Sequence, residues 1–169
     1  MVDAKILADL SHHAKQLNEQ TDNLNKNIEA LNKRLAEMNI GLEVWLESDY
    51  RPLAVDNPRR PIRTSGLQYD SSVSPPRKYE ESVYLGYCRV KNAWELAIKY
   101  EETTYEWDQD SREEYQVSES TLVPLLKASR EIRLLAVERF DDLLSLLNSI
   151  VQQKVETAKR AEKLANPQE

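Results

Sequence analysis

The chain has 169 residues and a net charge of −6, long enough for one domain with a buried core. The acidic balance disfavours non-specific binding to DNA or anionic lipid, which draws on surplus Lys and Arg, and only three glycines argue against a glycine-cradled nucleotide site. The single cysteine, Cys88, excludes an intrachain disulfide and an all-cysteine metal site, and fits a reducing, cytoplasmic setting.

Met1 to Lys5 lead into an amphipathic segment and no apolar stretch reaches bilayer length, so neither a signal peptide nor a membrane span is expected. From Leu7 to Met38 the apolar positions Leu7, Leu10, Ala14, Leu17, Thr21, Leu24, Ile28, Leu31, Leu35 and Met38 alternate steps of three and four. That spacing predicts a helix over residues 1–39 with one narrow seam, Thr21 being its weak point. Asp3 can cap its start, and Asn39 and Gly41 supply its stop. About 36 residues make roughly 54 Å of helix. The flanks of the seam are mostly uncharged, as at Ser11, Asn18, Gln20, Asn25, Asn27 and Asn32, which suits a helix already held nearby better than a charge-selected partner.

The period changes from 3.6 to 2 at Ile40, with Ile40, Leu42, Val44 and Leu46 on one face of a strand. Residues 48–78 carry Pro52, Pro58, Pro61, Pro75 and Pro76 without periodicity and read as a long loop, the part of the body expected to be least ordered. Its first part is basic, with Arg51, Arg59, Arg60 and Arg63 against Asp49 and Asp56. A solvated arm is the plain reading; an arm that folds onto an acidic partner, led by Arg59 and Arg60, is the sharper one.

A hairpin follows, Val83–Val90 and Ala93–Glu101 about Lys91-Asn92. This turn sets Val83 against Tyr100, Leu85 against Ile98, Tyr87 against Leu96 and Arg89 against Trp94 on one face. Tyr84 against Lys99, Gly86 against Ala97 and Cys88 against Glu95 make the other. After Glu102 the aromatic parity changes, so Tyr105 and Trp107 imply either a bulge near Thr103-Thr104 or side chains on the outer face. A turn at Asp108–Arg112 brings back a strand, Glu113–Ser118, with Tyr115 opposite Tyr105. Thr121 then caps a final helix over residues 119–165, with Pro124 in its first turn. Its apolar residues from Leu125 to Val155 fill an arc of roughly 200°, about twice what one neighbour needs. The expected architecture is α+β in a single domain: two long terminal helices packed antiparallel, and an antiparallel sheet of four or five strands from residues 40–118.

The chemistry-bearing residues are sparse. His12 and His13 point about 100° apart on a helix and do not chelate together. Cys88 has no base beside it in sequence. No Walker loop, dinucleotide fingerprint, nucleophile elbow or zinc spacing occurs, and neither a metal nor a cofactor is expected. The acidic run Glu101, Glu102, Glu106, Asp108, Asp110, Glu113, Glu114 lacks the glycine and distal Glu of a calcium loop and reads as a solvated edge. Eight Tyr and three Trp against one Phe point to a half-wet sheet or an interaction face.

These patterns point to a non-catalytic protein-binding or assembly module, with a homodimer as the expected form and neither nucleic acid nor membrane as partner. Tyr84, Lys99, Tyr105, Trp107, Tyr115, Arg59 and Arg60 are the interaction candidates. In order of elements alone the layout resembles that of prefoldin subunits, which implies a holdase as the alternative; no residue motif accompanies that resemblance. A third reading is an enzyme using Tyr84, Glu95 and Lys99 on the outer hairpin face.

Overall fold

The computed structural model describes residues 4–46, 61–73, 77–108 and 113–165. Helix α1, Ala4–Glu37, has the expected length and stops where the sequence says it should. Asn39 and Gly41 turn the chain through left-handed backbone, at φ 49° and 63°, and the amides of Met38 and Asn39 close on the carbonyls of Arg34 and Ala36. Only the second half of the seam is covered. Thr21, Ile28 and Leu35 are buried and Leu24 and Leu31 pack against the core, whereas every residue from 4 to 20 is exposed. Thr21 keeps its place because its hydroxyl donates 2.7 Å back to the Leu17 carbonyl, within its own helix.

The sheet is antiparallel with six strands: β1 Val44–Trp45, β2 Arg63–Thr64, β3 Gln68–Asp70, β4 Arg77–Val90, β5 Ala93–Asp108 and β6 Glu113–Pro124. The hairpin β4–β5 has the expected register at every pair from Val83↔Tyr100 to Arg89↔Trp94, and Lys91 takes the left-handed position of the turn at φ 57°. Strand β5 runs unbroken to Asp108, so the parity change needs no bulge and Tyr105 and Trp107 lie on the outer face.

Four expectations are corrected. Part of the region 48–78 read as a loop pairs with the sheet: β2 and β3 follow β1, which lies in the expected strand, along a single edge of β4. The amides of Leu46, Ile62 and Ser65 donate to the carbonyls of Leu85, Val83 and Glu81 in the gaps between them. A 14-residue strand needs its second edge satisfied, and short backbone-only pairings do this without any hydrophobic period. Residues 47–60, and with them Arg59 and Arg60, lie outside the described residues. Second, Tyr115 pairs with Glu106, and Tyr105 with Gln116; one residue of slip moves Tyr115 to the helix-facing side. Third, β6 continues through Thr121 to Pro124, paired to Ala97 at its end, so Thr121 is no cap. The true N-cap is Ser129, whose hydroxyl accepts from the Ile132 amide at 3.3 Å. Fourth, the final helix is two: α2, Arg130–Val137, and α3, Phe140–Ala165, separated at Glu138-Arg139. Asp142, in the first turn of α3, is held 2.6 Å from Arg139 Nε.

The core lies between the inner sheet face and the helices. Val83, Leu85, Tyr87, Leu96 and Ile98 meet Ile28 and Leu35 of α1, Leu125 of the 3-10 turn Leu125–Lys127, Ile132 and Ala136 of α2, and Leu143 and Leu147 of α3. Asn32 Oδ1 accepts from the Leu96 amide at 2.7 Å, tying α1 to the sheet. Asn18 of α1 accepts from Arg130 at the head of α2, 2.9 Å away. Further along, Leu35 and Met38 share an apolar groove with Leu144, Leu147 and Val151 of α3. From Asn18 to Met38, α1 is thus held against α2 and α3.

Candidate functional site

Alternation along β4 and β5 sets Tyr84, Gly86 and Cys88 opposite Lys99, Ala97 and Glu95 on the outer face. Trp45 of β1 joins them because its neighbours Val44 and Leu46 point inward to the core. It pairs with Gly86, and its ring lies flat on that residue: a Cβ built there would sit 2.2 Å from Trp45 Cε3. Its indole N–H donates to Glu43 Oε1 at 2.6 Å. Lys99 Nζ stands 4.8 Å from the Tyr84 ring centroid and 5.5 Å from that of Trp45, and 3.4 Å from Glu101 Oε2. The ammonium thus sits among two aromatic faces and a carboxylate, a cation–π arrangement completed within the chain.

Burial is the main influence on the titratable groups Cys88, Glu95 and Tyr84 of this face. Burial pushes the Cys88 thiol up to about 11, aided by the charges of Glu43 and Glu95, so at neutral pH it is not a thiolate. Burial also raises Glu95, with Lys127 opposing, and raises the Tyr84 phenol against a hydrogen bond with Ser82. Of the possible catalytic set, Tyr84 and Lys99 meet across the strands. Glu95 lies four residues from Lys99, about 14 Å along β5, and Trp45 fills the rung between them.

The other sequence candidates separate. Tyr105 donates to Glu80 at 3.3 Å beneath Lys78, whose Nζ is 4.5 Å from the ring centroid and 2.9 Å from Glu114 Oε1. Trp107 is exposed beyond them, and Tyr115, on the opposite face, donates to Glu106 at 2.6 Å. On that inner face, past the helices, Glu81, Glu102 and Glu119 stand in register across three strands beside Arg63. Among the described residues no set of three or more His, Cys, Asp or Glu side chains is placed to share a metal ion. Nor is any described helix long and apolar enough to cross a membrane.

Two features escape the sequence reading. Trp45 was signalled only by its odd position in an even-faced strand. The second is the free arm of α1, where Ile6, Leu7, Leu10 and Leu17 are 62%, 53%, 61% and 45% exposed along one side of the helix. No protein-family model matches this sequence, and no curated protein or solved structure shows significant similarity to it.

Proposed function

We propose that this chain works by binding protein, as a homodimeric assembly module, and carries out no chemistry of its own. The observation behind the reading is the α1 arm. Leu7, Leu10 and Leu17, with Ile6 beside them, stand exposed on the same seam that the body covers from Thr21 to Leu35. A contiguous exposed apolar strip on an otherwise charged, soluble chain is the usual mark of a contact surface. The outer face supports the same view, since its cation is already held by Trp45, Tyr84 and Glu101 and its thiol is protonated. A prefoldin-like holdase is the second reading, and it would draw on the same exposed strip. Sedimentation equilibrium over a tenfold range of concentration tests the reading. The expected result is a mass rising from monomer toward dimer; a monomer throughout removes the homodimer.

A further inference from the structure

Resting on the reading that this chain binds protein, we infer that the free edge of the sheet, strand β6, takes an extended segment of a partner protein carrying Lys or Arg as a further antiparallel strand. The backbone carries the argument. The two-residue turn makes Val90 and Ala93 a hydrogen-bonded pair, and in an antiparallel ladder such pairs recur at every second position. Odd-numbered residues of β4 therefore turn to its other edge, where the Leu85, Val83 and Glu81 carbonyls accept from Leu46, Ile62 and Ser65. By the same count the even-numbered residues of β5 bond to odd-numbered residues of β6. Glu114, Gln116, Ser118, Ser120 and Leu122 are left with amide and carbonyl turned outward along the edge. All five are exposed, and among the described residues β6 pairs with β5 alone.

Little in β6 closes this edge. Its pairing with β5 runs from Glu113 to Pro124 without a bulge, and its one proline comes at the very end. The strand carries Glu114 and Glu119 and no Lys or Arg. Those charges choose the occupant. A second copy of β6 would lay one acidic strand on another with no cation from either, so the edge rejects its own copy. A basic strand meets the opposite case. Glu114 is bonded by Lys78 at 2.9 Å. Glu119 ends the row Glu81, Glu102, Glu119 on the inner face and has no ion pair or hydrogen bond among the described residues. Arg63 lines the same cavity from the β2 side, and a basic side chain opposite Glu119 supplies the cation at the other end. On the same face Val117 and Tyr115 are 38% and 46% exposed, and apolar side chains opposite them cover both. Alternation along a strand turns these three positions into a motif. In the partner's own direction it is a Lys or Arg, an apolar residue two places on, and another two places beyond.

The probe is a labelled peptide, Thr-Lys-Thr-Val-Thr-Val-Thr, whose Lys falls opposite Glu119 and whose two Val fall opposite Val117 and Tyr115. Fluorescence anisotropy with the full chain should give a dissociation constant on the order of 100 µM. Replacing the Lys of the peptide by Glu should weaken binding about fivefold. N-methylation of the Thr opposite Ser118 removes an amide that points at β6 and should weaken binding at least tenfold, whereas N-methylation of the Lys, whose amide points away, should change it less than about twofold. Ser118→Pro deletes an outward amide while sparing the ladder to β5, and should weaken binding at least tenfold at unchanged far-ultraviolet circular dichroism. Glu119→Lys, at an exposed site, reads the same edge without touching the backbone and should reverse the preference between the Lys and Glu peptides. Equal effects of the two methylations would mean that no strand is added and would overturn the inference. Equal binding of the Lys and Glu peptides, or no binding up to about 1 mM protein, does the same. A dimer of the parent that Ser118→Pro dissolves would give the edge to a second copy, which overturns the inference and leaves the assembly reading standing. A monomeric parent that binds the peptide as described removes the homodimer and upholds the inference.

Discussion

Gly86→Ala isolates the contact that organises the outer face. The backbone at Gly86 is not left-handed, so nothing in the main chain asks for glycine. The demand comes from above: the added methyl would lie 2.2, 2.5 and 2.7 Å from three carbons of the Trp45 ring. The ring must shift, and its contact with Lys99 at 5.5 Å and its hydrogen bond to Glu43 shift with it. Overpacking of this kind costs about 1–3 kcal/mol. Set against that is about 0.4–1 kcal/mol gained because alanine has less chain entropy to lose than glycine at a compatible site. The net expectation is a loss of about 1–2 kcal/mol. Urea denaturation followed by far-ultraviolet circular dichroism reads it without depending on tryptophan fluorescence. In a Trp45→Ala background the obstacle is gone, so Gly86→Ala should become neutral or slightly stabilising, and the double-mutant cycle should show coupling on the order of the lost penalty. An equal cost in both backgrounds would refute the stacking of Trp45 on Gly86.

Leu147→Ala removes a side chain 3% exposed, packed in the core under α3, and should cost about 2–5 kcal/mol by denaturation midpoint; an unchanged midpoint would contradict the packing. Glu95→Gln probes pH dependence. Burial raises the folded-state pKa of Glu95 above its ordinary value, so the native chain binds the proton more tightly than the unfolded one. Its contribution is present in full below the usual carboxylate range and is lost as pH rises through the folded value. The Gln variant should therefore show a smaller fall in stability between acid and neutral pH than the parent, and parallel stability-pH curves would count against a buried carboxyl.

The legible parts of this fold are those decided by nearest neighbours. The β4–β5 register can be read pair by pair because a two-residue turn leaves the apolar residues one way to coincide. That register alone brings Tyr84 to Lys99, half of the outer-face cluster. The stop of α1 at Asn39 and Gly41 is equally local. Thr121 and Pro124 show the limit: the same residues suit a helix start and a strand end, and the backbone bonds offered by β5 at Ala97 to Lys99 outweigh the cap.

The sequence by itself determined an α+β chain with a heptad helix, a hairpin of known register and a Tyr-rich outer face, because periodicity and turn length act over a few residues. Tertiary structure alone decided which edge β1, β2 and β3 would cover, that Trp45 would lie on Gly86, and that Tyr115 would face away from Tyr105. It also decided where the seam of α1 would pass from cover into solvent. Leu17 and Leu24 look alike in the heptad, yet one is exposed and the other packs against the core. The difference is the reach of the sheet and α2 beneath them: burial depends on what lies opposite, and no pattern within one helix carries that information.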